Sequence, residues 1–167
     1  MAWRVRFYRD LDTKQQPAKD WLNALYDKPV ERPKWAAAMA AIHHVLKQQG
    51  TDVCESEWGK NLGKGLYEFR VRNPAAQIQS KFPLRDRLPK DVPEGKGSVT
   101  ILLRIFFMTY GKEVILLLCG YDKGKDPRGS KQSEEIERAR EMVNKARANL
   151  RARLEGEARR KPRRRRR

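Results

Sequence analysis

Two consecutive runs constrain this fold more than anything else in the chain. They are VTILLRIFF at 99–107 and EVILLLCGY at 113–121. Tyr110, Gly111 and Lys112 lie between them, so the pair reads as a β-hairpin. Both runs are apolar at nearly every position, as central strands covered on both faces are. No segment is long and apolar enough to span a membrane.

One residue breaks the pattern. Arg104 stands in the middle of the first run. On alternate positions Val99, Ile101, Leu103, Ile105 and Phe107 form a wholly apolar face. Thr100, Leu102, Arg104, Phe106 and Met108 form the other. The preceding strand, GLYEFRVR at 65–72, divides in the same way. Tyr67, Phe69 and Val71 suit a packed face, and Glu68, Arg70 and Arg72 an open one. If the two strands are neighbours, Arg70, Arg72 and Arg104 share one face, and Lys123, Lys125 and Arg128 rim it. Guanidinium forks beside apolar groups suit phosphate oxygens. The competing reading is that Arg104 pairs with Glu68 and only balances it.

WRVRFY at 3–8 alternates as a first strand, with Trp3, Val5 and Phe7 on one side. A short helix from Pro17 buries Trp21, Leu22 and Leu25. A longer helix at 34–49 carries the stripe Trp35, Met39, Ile42 and Leu46, and Gly50 stops it. His43 and His44 on this helix point about 100° apart and cannot share a ligand. The closing helix starts at Ser133, carries Ile136, Ala139, Val143, Ala146, Leu150 and Leu154, and ends at Gly156. These elements predict an α+β domain: an antiparallel β-meander, N-terminal helices and a C-terminal helix, with the helices packed on one face of the sheet. The domain spans 1–155, with a long basic loop at 73–98 that contains Lys81, Arg85 and Arg87. An arginine-rich tail at 156–167 reads as disordered.

The formal charge is +17. The tail RRKPRRRRR supplies eight of these, so the remainder still carries 17 − 8 = +9. A field of this sign attracts nucleic acid, although charge alone supplies neither a reaction nor a sequence preference. Cys54 and Cys119 belong to no CxxC pair or His-rich cluster, so no metal site or cofactor is expected. Free cysteines and an N-terminus without an apolar leader region fit the cytoplasm.

Four short motifs in order carry a family resemblance. They are Leu66-Tyr67-Glu68-Phe69-Arg70, then Arg104, then Gly120-Tyr121-Asp122-Lys123-Gly124-Lys125, then Glu135-Ile136-Glu137-Arg138-Ala139. Over about residues 3 to 150 the chain resembles the phage-derived HigB-like branch of the RelE/ParE toxin superfamily. The resemblance implies a small RelE-like α+β domain, the toxin of a type II toxin–antitoxin pair. It implies a metal-independent endoribonuclease acting on translated mRNA at the ribosome, with a helix-turn-helix antitoxin as partner. The family's functional residues map onto Arg70, Arg104, Tyr121, Lys123 and Lys125. In such a site Arg70 and Arg104 would offset phosphorane charge, Lys123 or Lys125 would serve as base, and Tyr121 would stack, orient or donate a proton. Arg72, Lys81, Arg85, Arg87 and Arg128 would hold RNA. The long 73–98 loop and the arginine tail depart from the family pattern. The alternative is a non-catalytic nucleic-acid-binding protein, or a ParE-like inhibitor of gyrase.

Overall fold

A computed structural model describes residues 2–72 and 101–160. The chain is an α+β domain built on a five-stranded mixed sheet. The strands are β1 (Arg4–Phe7), β2 (Gly59–Gly63), β3 (Leu66–Val71), β4 (Leu103–Tyr110) and β5 (Val114–Asp122), in the order β1-β5-β4-β3-β2. β3, β4 and β5 form the expected antiparallel meander. β1 adds to it in parallel, with Val5 opposite Ile115. β2 has no counterpart in the sequence reading. Its sequence GKNLG holds two glycines and one large apolar residue, so no period-2 signal marks it. It pairs with β3 through a turn in which Gly63, Lys64 and Gly65 all have positive φ, a conformation glycine adopts without steric cost.

The helices are α1 (Pro17–Asp27), α2 (Arg32–Ala41) and α3 (Gly129–Arg160). α2 continues through a π turn at Ile42–Leu46 and a last α turn at Lys47–Gln49. Gly50, at φ +59°, ends the run as expected. Its buried face is wider than the expected stripe, of which Ile42 and Leu46 are in the core. Ala36, Ala37, Ala38, Ala40 and Ala41 face the core, while Trp35 and Met39 are half-buried. Small side chains let the helix lie close to the sheet, and the larger ones pack along its flanks. His43 and His44 are both half-buried within the π turn, their rings edge to face at 4.9 Å.

The helices occupy both faces of the sheet, not one. α1 and α2 cover Phe69, Val71, Leu103, Ile105, Phe107, Ile115 and Leu117. α3 covers Leu66, Phe106, Met108, Leu118 and Tyr121 with Ala139, Met142 and Val143. The physical reason is already in the strands. Phe106, Met108 and Leu118 would leave a large apolar patch in water if that face were open. α3 also differs from expectation at its ends. It begins at Gly129 and runs through Gly156 to Arg160. Ser133 therefore sits inside the helix, where its hydroxyl donates to the Gly129 carbonyl at 3.2 Å. No described helix is long and apolar enough to cross a membrane.

A β-bulge sets the faces of β5. Phe106 pairs with Cys119, but Phe107 pairs with Leu117, which leaves Leu118 as the extra residue. Leu118 and Cys119 both join the α3 side. Burial there pushes the Cys119 thiol up to about 12. Gly120 then faces α1, and Tyr121 returns to the α3 side. A Cβ on Gly120 would lie 2.6 Å from the Trp21 ring and 2.9 Å from the Arg104 carbonyl oxygen. Gly120→Ala should destabilise the fold by about 1–3 kcal/mol, the usual range for overpacking. In urea unfolding, much of that loss should be recovered in the background of Trp21→Ala. A Gly120→Ala protein as stable as the parent would refute this packing.

Candidate nucleic-acid interface

Arg70, Arg104 and Tyr121 stand in one row across three adjacent strands. Arg70 pairs with Arg104 across β3–β4, and Arg104 with Tyr121 across β4–β5. All three point to the α3 side. Two residues on from Arg70 is Arg72, just past β3, and two on from Tyr121 is Lys123, in the turn after β5, whose backbone N–H bonds the Leu102 carbonyl at 2.8 Å. The sequence period thus gathers Arg70, Arg72 and Arg104 on one face as expected. That face is not open at Arg104, which is 4% exposed beneath α3.

Glu68 organises the row. Its side chain is fully buried. Oε1 accepts from Arg70 Nε at 2.6 Å and lies 3.7 Å from Arg104 Nε. Oε2 accepts from Gln132 of α3 at 3.1 Å. Arg104 donates to its own strand, from Nη1 to the Leu103 carbonyl at 3.3 Å, while its Nε has no hydrogen bond among the described residues. Burial pulls the Arg104 guanidinium below its ordinary range. Glu68 opposes that shift, and Arg70 and Arg72 add to it. Tyr121 is 5% exposed and stacks on Phe106 at 6.2 Å, its hydroxyl unpartnered among the described residues. Burial and then the Glu68 charge raise its phenol above the ordinary value. Two guanidiniums share one carboxylate, so the cluster keeps an excess positive charge.

The outer cations divide into free and occupied. Arg70 is half-buried, and beyond its Nε bond its terminal nitrogens make no bond among the described residues. Arg72 is exposed and Lys123 half-buried, neither with an ion-pair partner among the described residues. Lys125 is held by Glu31, which also pairs with Lys34 at 3.2 Å. Lys34 bonds Asp122 at 2.6 Å. This relay ties the start of α2 to the end of β5, and nothing in the sequence spacing announces it. Arg128 is a fork on Asp126, with both nitrogens at 2.8 Å. Lys81, Arg85 and Arg87 lie outside the described residues. A cleft of about 580 Å³ opens between α1, the end of β5 and the start of α3. Five carboxylates against four cations line it, so this cleft carries no surplus of positive charge. No protein-family model matches the chain, and no curated protein matches its sequence.

Two outcomes follow from these ion pairs. Glu68→Gln leaves the buried Arg104 and the half-buried Arg70 without a carboxylate and should cost about 3–5 kcal/mol, as for a broken buried pair. The double variant Glu68→Gln with Arg104→Met should recover part of it in chemical denaturation. The second outcome concerns acid. Burial alone would raise the Glu31 carboxyl, but Lys125 and Lys34 more than reverse that, and it falls below its ordinary value. A depressed carboxyl contributes stability above its unfolded pKa of about 4.3 and loses it as pH falls through the folded value. Glu31→Gln should therefore flatten the acid limb of a stability–pH profile below about pH 4.3. An unchanged limb would exclude Glu31 as its source.

Proposed function

We propose that this chain is the toxin of a type II toxin–antitoxin pair and a metal-independent endoribonuclease of mRNA, acting during translation. One observation supports the reading above the others. Three of the five residues that the family resemblance assigns to the site, Arg70, Arg104 and Tyr121, lie in a single row; a fourth, Lys123, follows two residues after Tyr121, and the fifth, Lys125, is held by Glu31. A phosphodiester at this corner would be met by the terminal nitrogens of Arg70, which make no bond among the described residues. Arg70 and Arg72 would then offset the charge that develops on the phosphorane. Arg104 acts from behind: with Gln132 it holds the Glu68 carboxylate, and Glu68 fixes the Arg70 fork. Of the two lysines proposed as base, Lys123 is the one without a carboxylate partner among the described residues. Tyr121 ends the row at β5, stacked on Phe106. A helix-turn-helix antitoxin would be the partner that restrains the activity.

A second reading has its own observation. Arg104 and Tyr121 are almost fully buried, and Lys125 is engaged by Glu31. A site with fewer accessible groups suits a non-catalytic binder of nucleic acid, or an inhibitor of gyrase. A short pulse of expression from a tightly repressed promoter, with mapping of new RNA 5′ ends, separates the two. The ribonuclease reading expects cleavage inside translated mRNAs. Arg70→Gln should reduce it by about 10²–10³-fold, the range for loss of one transition-state donor. Lys125→Gln should leave it within a few-fold of the parent. Growth arrest without new ends would transfer the assignment to a binding target.

A further inference from the structure

An apolar groove of about 520 Å³ lies between the second half of α3 and the sheet edge formed by β1. Met108, Leu116 and Leu150 line it, and Leu11 and Tyr110 stand at its lip. Leu11 is 52% exposed and Tyr110 42%. Only four large apolar side chains among the described residues are this exposed, and two of them are here. A third, Leu154, stands one turn beyond Leu150 on the same stripe of α3. Such clustering of exposed apolar surface marks an interaction site.

The rim has one sign of charge. Arg6, Arg9, Arg147 and Arg153 line the groove, and no aspartate or glutamate among the described residues does. Arg6, Arg9 and Arg153 have no ion-pair partner among the described residues, and Arg147 gives only a hydrogen bond to the Lys64 carbonyl at 3.0 Å. The nearby carboxylate of Asp10 is bound by Lys145 at 3.0 Å. A second copy of this chain would bring the same arginines and another charge of +17, so self-association is opposed. A phosphate backbone would satisfy the arginines but leave Leu11, Tyr110 and Leu150 in water.

We propose that this groove docks an acidic amphipathic helix of a partner protein. Apolar side chains at i, i+3, i+4 and i+7 enter the groove, and flanking carboxylates reach the arginine rim. Arg104 lies near the start of β4, whereas Met108 and Tyr110 lie at its end. The helix therefore leaves the arginine row uncovered, and the proposal does not depend on the ribonuclease reading.

The test uses the full chain and a labelled peptide of about 16 residues, a helix of roughly 24 Å. It carries leucine at the four anchor positions and glutamate at most others. Fluorescence anisotropy at about 0.15 M salt screens non-specific attraction. The patterned peptide should bind at least about tenfold more tightly than a scrambled peptide of the same composition, a difference of about 1.4 kcal/mol. Leu11→Asp with Tyr110→Ser should abolish that preference. Arg6→Gln with Arg153→Gln should weaken binding, whereas the charge-matched Lys19→Gln with Lys60→Gln should not. All six positions are exposed, and unchanged thermal midpoints will show that the variants fold. Equal binding of the scrambled peptide, or indifference to the groove variants, would overturn the proposal. So would a concentration-dependent dimer in analytical ultracentrifugation that Leu11→Asp dissociates, since the occupant would then be a second copy.

Discussion

The buried carboxylate of Glu68 is the constraint on which the rest of this architecture turns. It sits between Arg70 and Arg104 on the sheet and accepts a third contact from Gln132 of α3. The Arg104 guanidinium could not be kept beneath a helix without a counter-charge, because desolvation of an unpaired cation costs several kcal/mol. The carboxylate makes it possible for α3 to cover a face that carries arginines. The same contacts fix the direction of the Arg70 fork. One interaction thus links strand pairing, helix docking and the geometry of the candidate site.

The distribution of charge follows a related logic. The chain is strongly basic, yet most cations near the end of β5 are neutralised locally. Lys34 and Lys125 are held by Glu31 and Asp122, Lys131 by Glu135, and Arg128 by Asp126. Two places keep cations that no described carboxylate pairs: Arg72 and Lys123 beside the Arg70–Glu68 pair, and the arginine rim of the groove along α3. Their apolar content differs. The first adjoins a polar cluster and suits phosphate, and the second surrounds exposed leucine and tyrosine and suits an acidic protein surface.

Much of the fold was legible in the sequence because it depends on local periodicity. The alternation of Leu103, Ile105 and Phe107, and of Phe69 and Val71, sets the α1–α2 face correctly. The apolar character of both faces of 99–107 and 113–121 signalled central strands, and that signal outweighed the placement of every helix on one side. β2 escaped notice because glycine and lysine carry no strand pattern. The start of α3 was displaced to Ser133 because a good capping residue also occurs inside the helix.

Sequence alone determined that Arg70 and Arg72 share a face of their strand and that Arg104 lies opposite Leu103 and Ile105 on its own, since side chains alternate along a strand. The β3–β4 register then put all three on one side. Only the tertiary structure decided that Tyr121 joins them. Strict alternation from Leu117 would send Tyr121 to the opposite side of the sheet, among the residues packed on α1. The bulge at Leu118 inserts one residue and reverses that parity. The ion pairs Lys34–Asp122 and Lys125–Glu31 and Gln132's bond to Glu68 were equally invisible, for they join positions 88, 94 and 64 residues apart. Partners at that separation are chosen by how α2 and α3 pack on the sheet, and no local spacing encodes that choice.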